Sequence, residues 1–593
     1  MTDLDYMNPK DRDGRISVLI EMRAAPGMAP TLGHRMAEGL GGGALRLDPE
    51  FAPVPLAAPG VAEERMFAAP ESYVLRGTVA DEGELRALET DPQVLRVWKD
   101  TPIAPFAAPS REGNGTGPQI EDNPSMAGCP IGTCDCSPTV AKGAIADVAR
   151  YLGVDQIWSR GYRGTGIVVG VLDSGITAQG RPVKPGETAD RIPRVIGGWP
   201  AADWGTESSR WGNHGNMCAT DVLGMAPEAQ LFDLRIAGPG GTPSTVSRAL
   251  QAFQWAIDHF RAHGTPQVLT NSWGMFQESW DPAYARDANH PFTRKVAEAV
   301  DLGIVVLFAA GNCGDTCPDG RCGPDVGTGR SIWGANGHEK VMTVGAVNIN
   351  EQFIGYSSRG PATLSAQKPD FCSISHFRGY FGSDSGTSAA TPILAGVVAV
   401  LKQAKPARTP AQLKADLIAT CKDIGAPGFD IHSGHGIVRP KGAFDRIMVV
   451  GTPVLPDLIG TPVRRDTIQT LPAIDRPHTP IVPDRIATTP LRDLGTPVVL
   501  DRPRTHVVLD QGGTPPLVDR GGTPISERID RPFEPPQPFV LSTAHQAPEW
   551  QDFDEMLSGE DDGLSALAAQ IEEVQAVLEQ LVAQYQAAAG MGR

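Results

Sequence analysis

Three short segments carry residue types that could together perform nucleophilic catalysis. Asp173 follows an apolar run, His214 precedes a glycine, and Ser388 lies in a Gly-Thr-Ser segment before an apolar helical stretch. A strand-end carboxylate, a histidine and a serine at a helix start would supply an orienting acid, a base and a nucleophile. Each segment alone is weak, because Asp-Ser-Gly is usually a turn and Gly-Thr-Ser is commonly a helix cap. Together they indicate a site for nucleophilic attack.

The elements that would position these residues alternate between strands and helices over residues 141–446. Nearly all-apolar runs predict the buried strands 166–172, 267–270, 303–308 and 341–344, with helical patterns such as 245–260 and 292–302 between them. This alternation favours an α/β domain with a doubly wound, mostly parallel sheet. In such sheets the reactive groups collect in the loops at the carboxyl ends of the strands. Asp173, at the end of the first strand, fits that placement.

A fourth segment agrees with this interpretation. Ala309-Ala310-Gly311-Asn312 ends the predicted strand 304–308. With the aspartate, histidine and serine in that order along the chain, residues 154–443 resemble the catalytic domain of the subtilases, the subtilisin-like serine peptidases. The resemblance implies a subtilisin-like fold and a serine endopeptidase that cleaves peptide bonds in extended protein segments.

The resemblance also assigns roles to individual residues. Asp173, His214 and Ser388 would form the catalytic triad, and the side-chain amide of Asn312 would donate to the oxyanion. The substrate-binding residues that the resemblance implies, on a strand edge that pairs with the substrate and on the wall of the primary pocket, are Ser272, Trp273, Gly274, Ala309, Ala310 and Gly311.

Two positions depart from the family pattern. Met217 stands where the family has a second histidine, which leaves the catalytic histidine in place. Trp273 replaces the commoner small aliphatic residue beside the cleft, so the pocket preference is not transferred from the family. The chemistry needs no cofactor. Calcium is frequent in the family, but no matching ligand loop is found, so the metal site is unknown.

Residues 1–107 predict a small N-terminal α+β domain. Strand patterns cover 16–22, 72–79 and 94–98, and Asp81 can cap a helix between the last two. The unit resembles the inhibitory propeptide of subtilases, which lays its last strand into the cleft. We therefore expect a self-inhibited precursor, a zymogen bound by its own propeptide, with cleavage between about residues 107 and 139. An ordinary α+β domain without an inhibitory role is the alternative.

The rest of the chain divides by composition. Residues 108–140 predict an exposed linker, and 447–548 a Pro-rich tether with a nine-residue Asp and Thr-Pro repeat. Phosphorylation or docking on the repeated Thr-Pro is the sharper alternative to a plain tether. Residues 549–593 predict an acidic segment and a terminal amphipathic helix, which would serve self-association or partner docking.

Net charge and terminal pattern limit the partners and the compartment. A net charge of −17 argues against nucleic-acid and anionic-membrane binding. The first residues lack the basic and apolar regions of a secretory signal, and we find no apolar run of about 18 residues. We expect a cytoplasmic protein without a nucleic-acid or membrane partner, with unconventional export left open. Its partners would be protein or peptide substrates and its own propeptide.

The nine cysteines leave several chemistries open. Cys313, Cys317 and Cys322 follow Asn312 and could hold zinc with a fourth ligand, form a disulfide or stay reduced. Their spacing matches no common four-ligand zinc finger, which disfavours zinc. Because Cys313 adjoins Asn312, we expect its bonding state to affect activity by moving the asparagine amide.

Two functions from other classes compete with peptide hydrolysis. The first is a subtilase fold that binds peptides without cutting them, and the second is a scaffold that acts mainly through the C-terminal repeats. A complete triad with its asparagine argues against the first, since a pseudo-enzyme usually loses one of these groups.

Overall fold

The computed structural model describes residues 13–24, 40, 45–57, 70–106, 129, 134–238 and 244–449. The chain divides into two units, Met1–Arg464 and Arg465–Arg593, and all the described residues belong to the first. The predicted repeat tether and terminal helix lie outside the described residues.

The N-terminal unit is an antiparallel sheet with one helix. It contains β1 (Ile16–Arg23), β2 (Arg46–Leu47), β3 (Val54–Leu56), β4 (Ser72–Val79), β5 (Val94–Lys99) and the helix α1 (Glu82–Glu89). The strand order is β2-β4-β1-β5, and β3 also pairs with β4. The Asp81 side chain accepts hydrogen bonds from the amides of Gly83 and Glu84, which confirms the predicted cap. Leu88 of α1 packs with Val18 and Ile20 of β1 in the core of this unit.

Residues 134–449 contain the predicted catalytic residues and are called the catalytic region below; they are built on a nine-stranded, mostly parallel sheet. Its strands are β7 (Cys134–Asp135), β8 (Val168–Asp173), β9 (Val195–Trp199), β10 (Gln230–Arg235), β12 (Val268–Asn271), β14 (Val305–Ala309), β15 (Met342–Val347), β16 (Phe353–Ile354) and β17 (Phe371–Ile374). The order is β7-β16-β15-β14-β12-β8-β10-β9, with β17 beside β15. Only the β15–β16 pairing is antiparallel among the pairings described for this sheet. The four strands predicted from the sequence are confirmed to within a few residues.

Helices cover both faces of this sheet. The α-helices are α2 (Ile145–Tyr151), α3 (Val154–Trp158), α4 (His214–Met225), α5 (Val246–His263), α6 (Pro282–Arg286), α7 (Pro291–Asp301), α8 (Gly386–Ala404), α9 (Pro410–Ile418) and α10 (Pro440–Val449). Short 3-10 turns lie at Ser209–Trp211, Glu278–Trp280, Gly320–Cys322 and Gly334–Gly337. Along β8, Val169 and Val171 enter the core that contains α4 and α8, whereas Val168 and Leu172 enter the core that contains α5 and α7. Alternate side chains thus feed opposite cores, which confirms the doubly wound architecture.

A third, small sheet joins the two regions. The strand β6 (Pro102–Pro105), which follows the N-terminal unit, lies between β11 (Ser244–Thr245) and β13 (Trp273–Gly274) and pairs antiparallel with both. The N-terminal unit therefore ends as the middle strand of a sheet whose outer strands belong to the catalytic region.

The structure differs from the predicted linker of 108–140 at its far end. The strand β7 pairs with β16 at the edge of the large sheet, and Asp135 is buried. Residues 134–140 therefore pack with the catalytic region, although their Pro, Ser and Cys content resembles an exposed segment. The pairing depends on a distant strand, which local composition does not reveal.

The cysteines form three disulfides, Cys129–Cys134, Cys136–Cys317 and Cys313–Cys322, and leave Cys218, Cys372 and Cys421 free. Of the chemistries that the sequence left open for the cluster after Asn312, the structure has the disulfide.

One described helix, α8, is long and apolar enough to cross a membrane, although the sequence predicted no such stretch. In the fold, 89% of its apolar window is buried. It is a core helix that packs against α4 and the sheet.

Candidate active site

The three predicted triad residues lie at the ends of three elements that meet. Asp173 ends β8, His214 begins α4, and Ser388 is the third residue of α8. All three are buried, at 1%, 1% and 0% exposure. The Cys218 sulfur lies 3.9 Å from both His214 Nδ1 and the Ser388 carbonyl oxygen and 3.6 Å from Asp173 Oδ2. The fold thus brings together residues that are 215 positions apart in sequence.

The aspartate and the histidine are hydrogen-bonded as an orienting pair. His214 Nδ1 lies 2.9 Å from both carboxylate oxygens of Asp173. Oδ1 of Asp173 also accepts from the Ser174 amide at 2.7 Å. This contact favours the tautomer with the proton on Nδ1 and leaves Nε2 as a base. His214 Nε2 has no hydrogen-bond partner within the described part of the chain, so it is free to take a proton.

The Ser272 carbonyl accepts hydrogen bonds from both Ser388 and Phe106, the residue that follows β6 and lies in the cleft. Ser388 Oγ donates to the Ser272 carbonyl oxygen at 3.1 Å, and the same oxygen accepts from the Phe106 amide at 3.0 Å. The Ser272 hydroxyl in turn donates to the Ser388 carbonyl at 2.9 Å. Ser272, predicted as a substrate-binding residue, therefore contacts both the nucleophile and the occupant of the cleft.

The side-chain amide of Asn312 hydrogen-bonds to the carbonyl of Phe106. Asn312 Nδ2 donates to the Phe106 carbonyl oxygen at 2.5 Å. Its orientation is set because its Oδ1 accepts from the Thr387 amide at 3.1 Å and from the Thr387 hydroxyl at 3.0 Å. A Cβ at Gly386 would lie 2.4 Å from the Phe106 oxygen, so only glycine leaves room for this carbonyl. The arrangement is the one expected of an oxyanion hole with a carbonyl in it.

The Phe106 ring fills a pocket lined by glycines. A Cβ at Gly274 would lie 2.7 Å from the Phe106 Cζ, and one at Gly311 would lie 3.4 Å from it. The ring centroid lies 4.9 Å from that of Phe276. Arg321 stacks over Phe276, 4.0 Å from its centroid, and donates to the Pro105 carbonyl at 3.0 Å. These contacts make a deep apolar pocket with room for an aromatic ring.

Trp273, another predicted substrate-binding residue, does not place its side chain in the pocket. Trp273 is fully buried and packs on Phe292 and Phe308 in the core, so only its backbone faces the cleft, through pairing with Pro105. The Trp273 side chain, although large, therefore does not obstruct the pocket.

The alanines before Gly311 support the pocket from behind. Ala309 contributes its carbonyl, which accepts from Asn336 Nδ2 at 3.0 Å, and the same nitrogen donates to the Trp273 carbonyl at 2.9 Å. Ala310 turns away and packs with Ile332 in a separate small cluster. Asn336 thus ties the two walls together, and no motif in the sequence pointed to it.

The loop after Asn312 is closed by a disulfide. Cys313 is bonded to Cys322, and the Asp319 amide donates to the Asn312 carbonyl at 3.0 Å. The loop therefore supports the backbone that carries the oxyanion amide. Arg321 lies inside the same loop, which places its guanidinium on the cleft strand.

A buried pair of carboxyl groups, Asp221 and Asp384, lies near the nucleophile without any signal in the sequence. Burial raises the pKa of Asp384 to about 6, and burial together with the neighbouring Asp384 raises the pKa of Asp221 well above its ordinary value. Asp384 accepts hydrogen bonds from the amides of Tyr380 and Phe381, both at 2.7 Å, which shapes the loop that leads into α8.

Within the described part of the chain, the potential metal-ligating side chains that converge are those of Asp173, His214 and Cys218. Burial raises the pKa of the Cys218 thiol well above its ordinary value, and the Asp173 carboxylate adds to this effect. The group therefore carries a neutral thiol beside the hydrogen-bonded Asp–His pair, which suits proton transfer better than metal binding.

Comparisons with known proteins agree with this geometry. The model of the subtilase family, Peptidase_S8, matches residues 164–436. Serine protease AprX of Bacillus subtilis is 28% identical over 289 residues, which are 42% of this chain and 60% of AprX. Subtilisin DY of Bacillus licheniformis is 26% identical over 304 residues, which are 49% of this chain and 94% of that protein.

Two further similar proteins match this chain over part of their length. The minor extracellular protease Epr of Bacillus subtilis is 25% identical, and the match spans 49% of this chain and 40% of Epr. The crystal structure of fervidolysin from Fervidobacterium pennivorans, a keratinolytic enzyme related to subtilisin, has a TM-score of 0.45 and 19% identity. That match covers 74% of this chain and 62% of fervidolysin.

The family model includes Asp173, His214, Asn312 and Ser388 within its match. Of those residues, Asp173 and His214 contact each other, and Asn312 contacts the Phe106 carbonyl. Residues 164–436 of this chain, just under half of its length, match the model of the subtilase family.

Proposed function

We propose that this chain is a serine endopeptidase that uses Asp173, His214 and Ser388. The observation that carries the proposal is the Phe106 carbonyl, which accepts from Asn312 Nδ2 at 2.5 Å while its own strand pairs with the cleft edge. A peptide bond held in this way is presented to the nucleophile as a substrate would be.

The reaction follows from the positions of the groups. Ser388 Oγ attacks the carbonyl carbon, and His214 Nε2 takes the hydroxyl proton and then returns it to the leaving amine. Asp173 keeps the imidazole proton on Nδ1 and stabilises the imidazolium that forms. Asn312 donates to the oxygen that becomes negative, and water then releases the acyl group from Ser388.

We further propose that residues 13–106 inhibit the enzyme until the bond between Phe106 and Ala107 is cut. Support comes from β6, which occupies the middle of the cleft sheet and ends with Phe106 in the pocket. The bond after Phe106 lies at the start of the predicted cleavage region, 107–139. The chain's own N-terminal unit would then act as its first substrate and as its inhibitor.

The same contacts support a substrate class. Extended segments of protein with an aromatic residue before the cut bond would reproduce the pairing of β6 and the ring of Phe106. Arg321 would hold the carbonyl one residue further back, as it holds that of Pro105.

The test compares the full chain with its Ser388→Ala variant by mass spectrometry of the chain termini. We expect the parent chain to be cut after Phe106 and the variant to stay intact, because the variant lacks the nucleophile. Identical processing of both would contradict autocatalytic maturation. A peptide-binding module that cuts nothing would leave both chains intact and would fail to react with a serine-directed fluorophosphonate.

The scaffold alternative concerns residues that lie outside the described part. Deletion of 451–593 would abolish the biological effect but not peptidase activity if the repeats carried the function. The compartment is a further proposal: six cysteines in three disulfides favour an oxidising compartment over the cytoplasm that the sequence led us to expect.

A further inference from the structure

A second buried aspartate–histidine pair lies behind the nucleophile. His376 Nδ1 lies 2.7 Å from Asp135 Oδ2, and both side chains are buried. His376 has a φ of +58°, in the left-handed region that few residues other than glycine adopt. Such a conformation persists only where the surroundings determine it strongly, and it is common at functional sites.

The pair continues to the backbone beside Ser388. His376 Nε2 lies 2.6 Å from the Tyr356 hydroxyl oxygen, which accepts from the Gly386 amide at 3.0 Å. Gly386 is two residues before Ser388 and faces the Phe106 carbonyl. The path from Asp135 to the nucleophile segment therefore consists of three short contacts.

The protons along this path have one consistent arrangement. Burial raises the pKa of Tyr356, so its hydroxyl keeps its proton. Burial also acts to raise the pKa of Asp135, but the hydrogen bonds that its carboxylate accepts from His376, Asn348 and the Ser137 amide outweigh it and hold that pKa below its ordinary value. The tyrosine oxygen accepts from Gly386 and can donate its own proton to His376 Nε2, which leaves Nδ1–H to donate to Asp135.

Asp135 is delivered by the segment that follows the proposed cleavage point. The strand β7 pairs with β16, and Tyr356 stands two residues after β16. Cys136, the residue after Asp135, forms a disulfide with Cys317 in the loop after Asn312. A Cβ at Gly355 would meet both sulfurs of this bond, at 2.7 Å and 2.6 Å, so the disulfide packs directly against the chain beside Tyr356.

We propose that Asp135, His376 and Tyr356 are positioning residues that hold the nucleophile segment at the oxyanion hole. Asp135 fixes the tautomer and direction of His376, His376 orients the Tyr356 hydroxyl, and that hydroxyl holds the Gly386 amide. The segment 134–137 is then a working part of the mature enzyme, reaching Gly386 by hydrogen bonds and the Asn312 loop by a disulfide. This inference rests on the proposed peptidase function.

The test measures peptide hydrolysis by Asp135→Asn, Tyr356→Phe and the double variant, each normalised to active sites titrated with a fluorophosphonate. We expect each single change to lower kcat by ~10-fold to ~100-fold with KM nearly unchanged, because a buried donor or acceptor loses its partner while the substrate strands are untouched. The double variant should lose less than the product of the two single losses, because both changes break the same path.

Tyr151→Phe is the matched control. Its hydroxyl is also shared between two partners, at 2.9 Å from Glu351 Oε1 and 3.0 Å from Arg439 Nη2, but it does not touch Gly386. We expect a similar change in melting temperature and no change in kcat.

Several outcomes would overturn the inference. It fails if kcat is unchanged in Tyr356→Phe, if KM rises as much as kcat falls, or if Tyr151→Phe lowers kcat equally. If Asp135→Asn does not fold, the kcat of Tyr356→Phe alone tests the inference, because this variant keeps the ring in the core and removes one oxygen. A parent chain that neither cuts peptides nor reacts with the fluorophosphonate refutes the proposed function itself, and this inference with it.

Discussion

Single residues decide which side chain the cleft can accept. Gly274 and Gly311 leave the space that the Phe106 ring occupies, and Phe276 closes one side of it. Trp273, the large residue that the sequence suggested would alter the pocket, points into the core instead. The proposed preference for an aromatic ring therefore depends on the absence of two Cβ atoms.

Gly274→Ala tests this dependence. Gly274 has an ordinary backbone conformation, so alanine causes no backbone strain, but its Cβ would lie 2.7 Å from the Phe106 Cζ and 3.0 Å from Asn336 Nδ2. We expect kcat/KM for peptides with phenylalanine before the cut bond to fall by about tenfold or more relative to peptides with alanine there. Gly382→Ala is the control, because its Cβ would meet nothing within 4 Å. Equal losses for both peptides would contradict this account of the pocket.

At the scale of elements, strand ends and helix starts position the chemistry, and disulfides secure the loops between them. The end of β8, the start of α4 and the start of α8 present the triad. The loop from Cys313 to Cys322 supports the Asn312 carbonyl and carries Arg321 to the cleft strand. The closed loop supports the backbone that carries Asn312, and the two hydrogen bonds from Thr387 set the direction of its side-chain amide.

Replacing both Cys313 and Cys322 by serine should move this loop. We expect kcat to fall by about tenfold or more, up to the ~10²–10³ loss that follows complete removal of one oxyanion donor. Reductant should have the same effect on the parent chain, and a zinc chelator should have none. Cys421→Ser, which removes a free thiol, is the control. Full activity of the double variant would show that the disulfide does not support the asparagine.

At the scale of the whole described unit, the N-terminal region is held by charged groups that become buried. Lys295 of α7 has no exposed surface and donates to the Pro55 carbonyl at 2.5 Å and to Gln254 at 2.7 Å. Its neighbour Arg294 pairs with Glu21 at 2.6 Å and with Glu71 at 3.1 Å. Breaking one partner of a buried ion pair is costly, because the other charge stays desolvated.

Arg294→Ala should therefore loosen the inhibitory contact. We expect a shorter lag between cleavage of the chain and the appearance of peptidase activity, by about tenfold or more for the loss of a buried ion pair. The final kcat should be unchanged, since Arg294 lies outside the cleft. Lys340→Ala is the control, because Lys340 pairs with Asp301 within the catalytic region. An unchanged lag would show that this ion pair does not limit release.

Much of the site could be predicted from the sequence because its parts are local. Strand periodicity located β8, β12, β14 and β15. The order of the motifs predicted the triad and Asn312 before any contact was known. The Asp81 cap and the helix α1 were likewise predicted from residues within one turn of each other. Short-range patterns carry this information, since strands and helices have fixed periods.

Contacts between distant parts of the chain were decided by the tertiary structure alone. The placement of Phe106 in the pocket, the pairing of β7 with the sheet edge and the path from Asp135 to Gly386 depend on contacts between residues that are 20 to 241 positions apart. No spacing rule encodes them, because their partners meet only after the sheet has assembled. The sequence by itself predicted which groups would perform the chemistry, and the fold determined which strand fills the cleft and which groups contact the segment before Ser388.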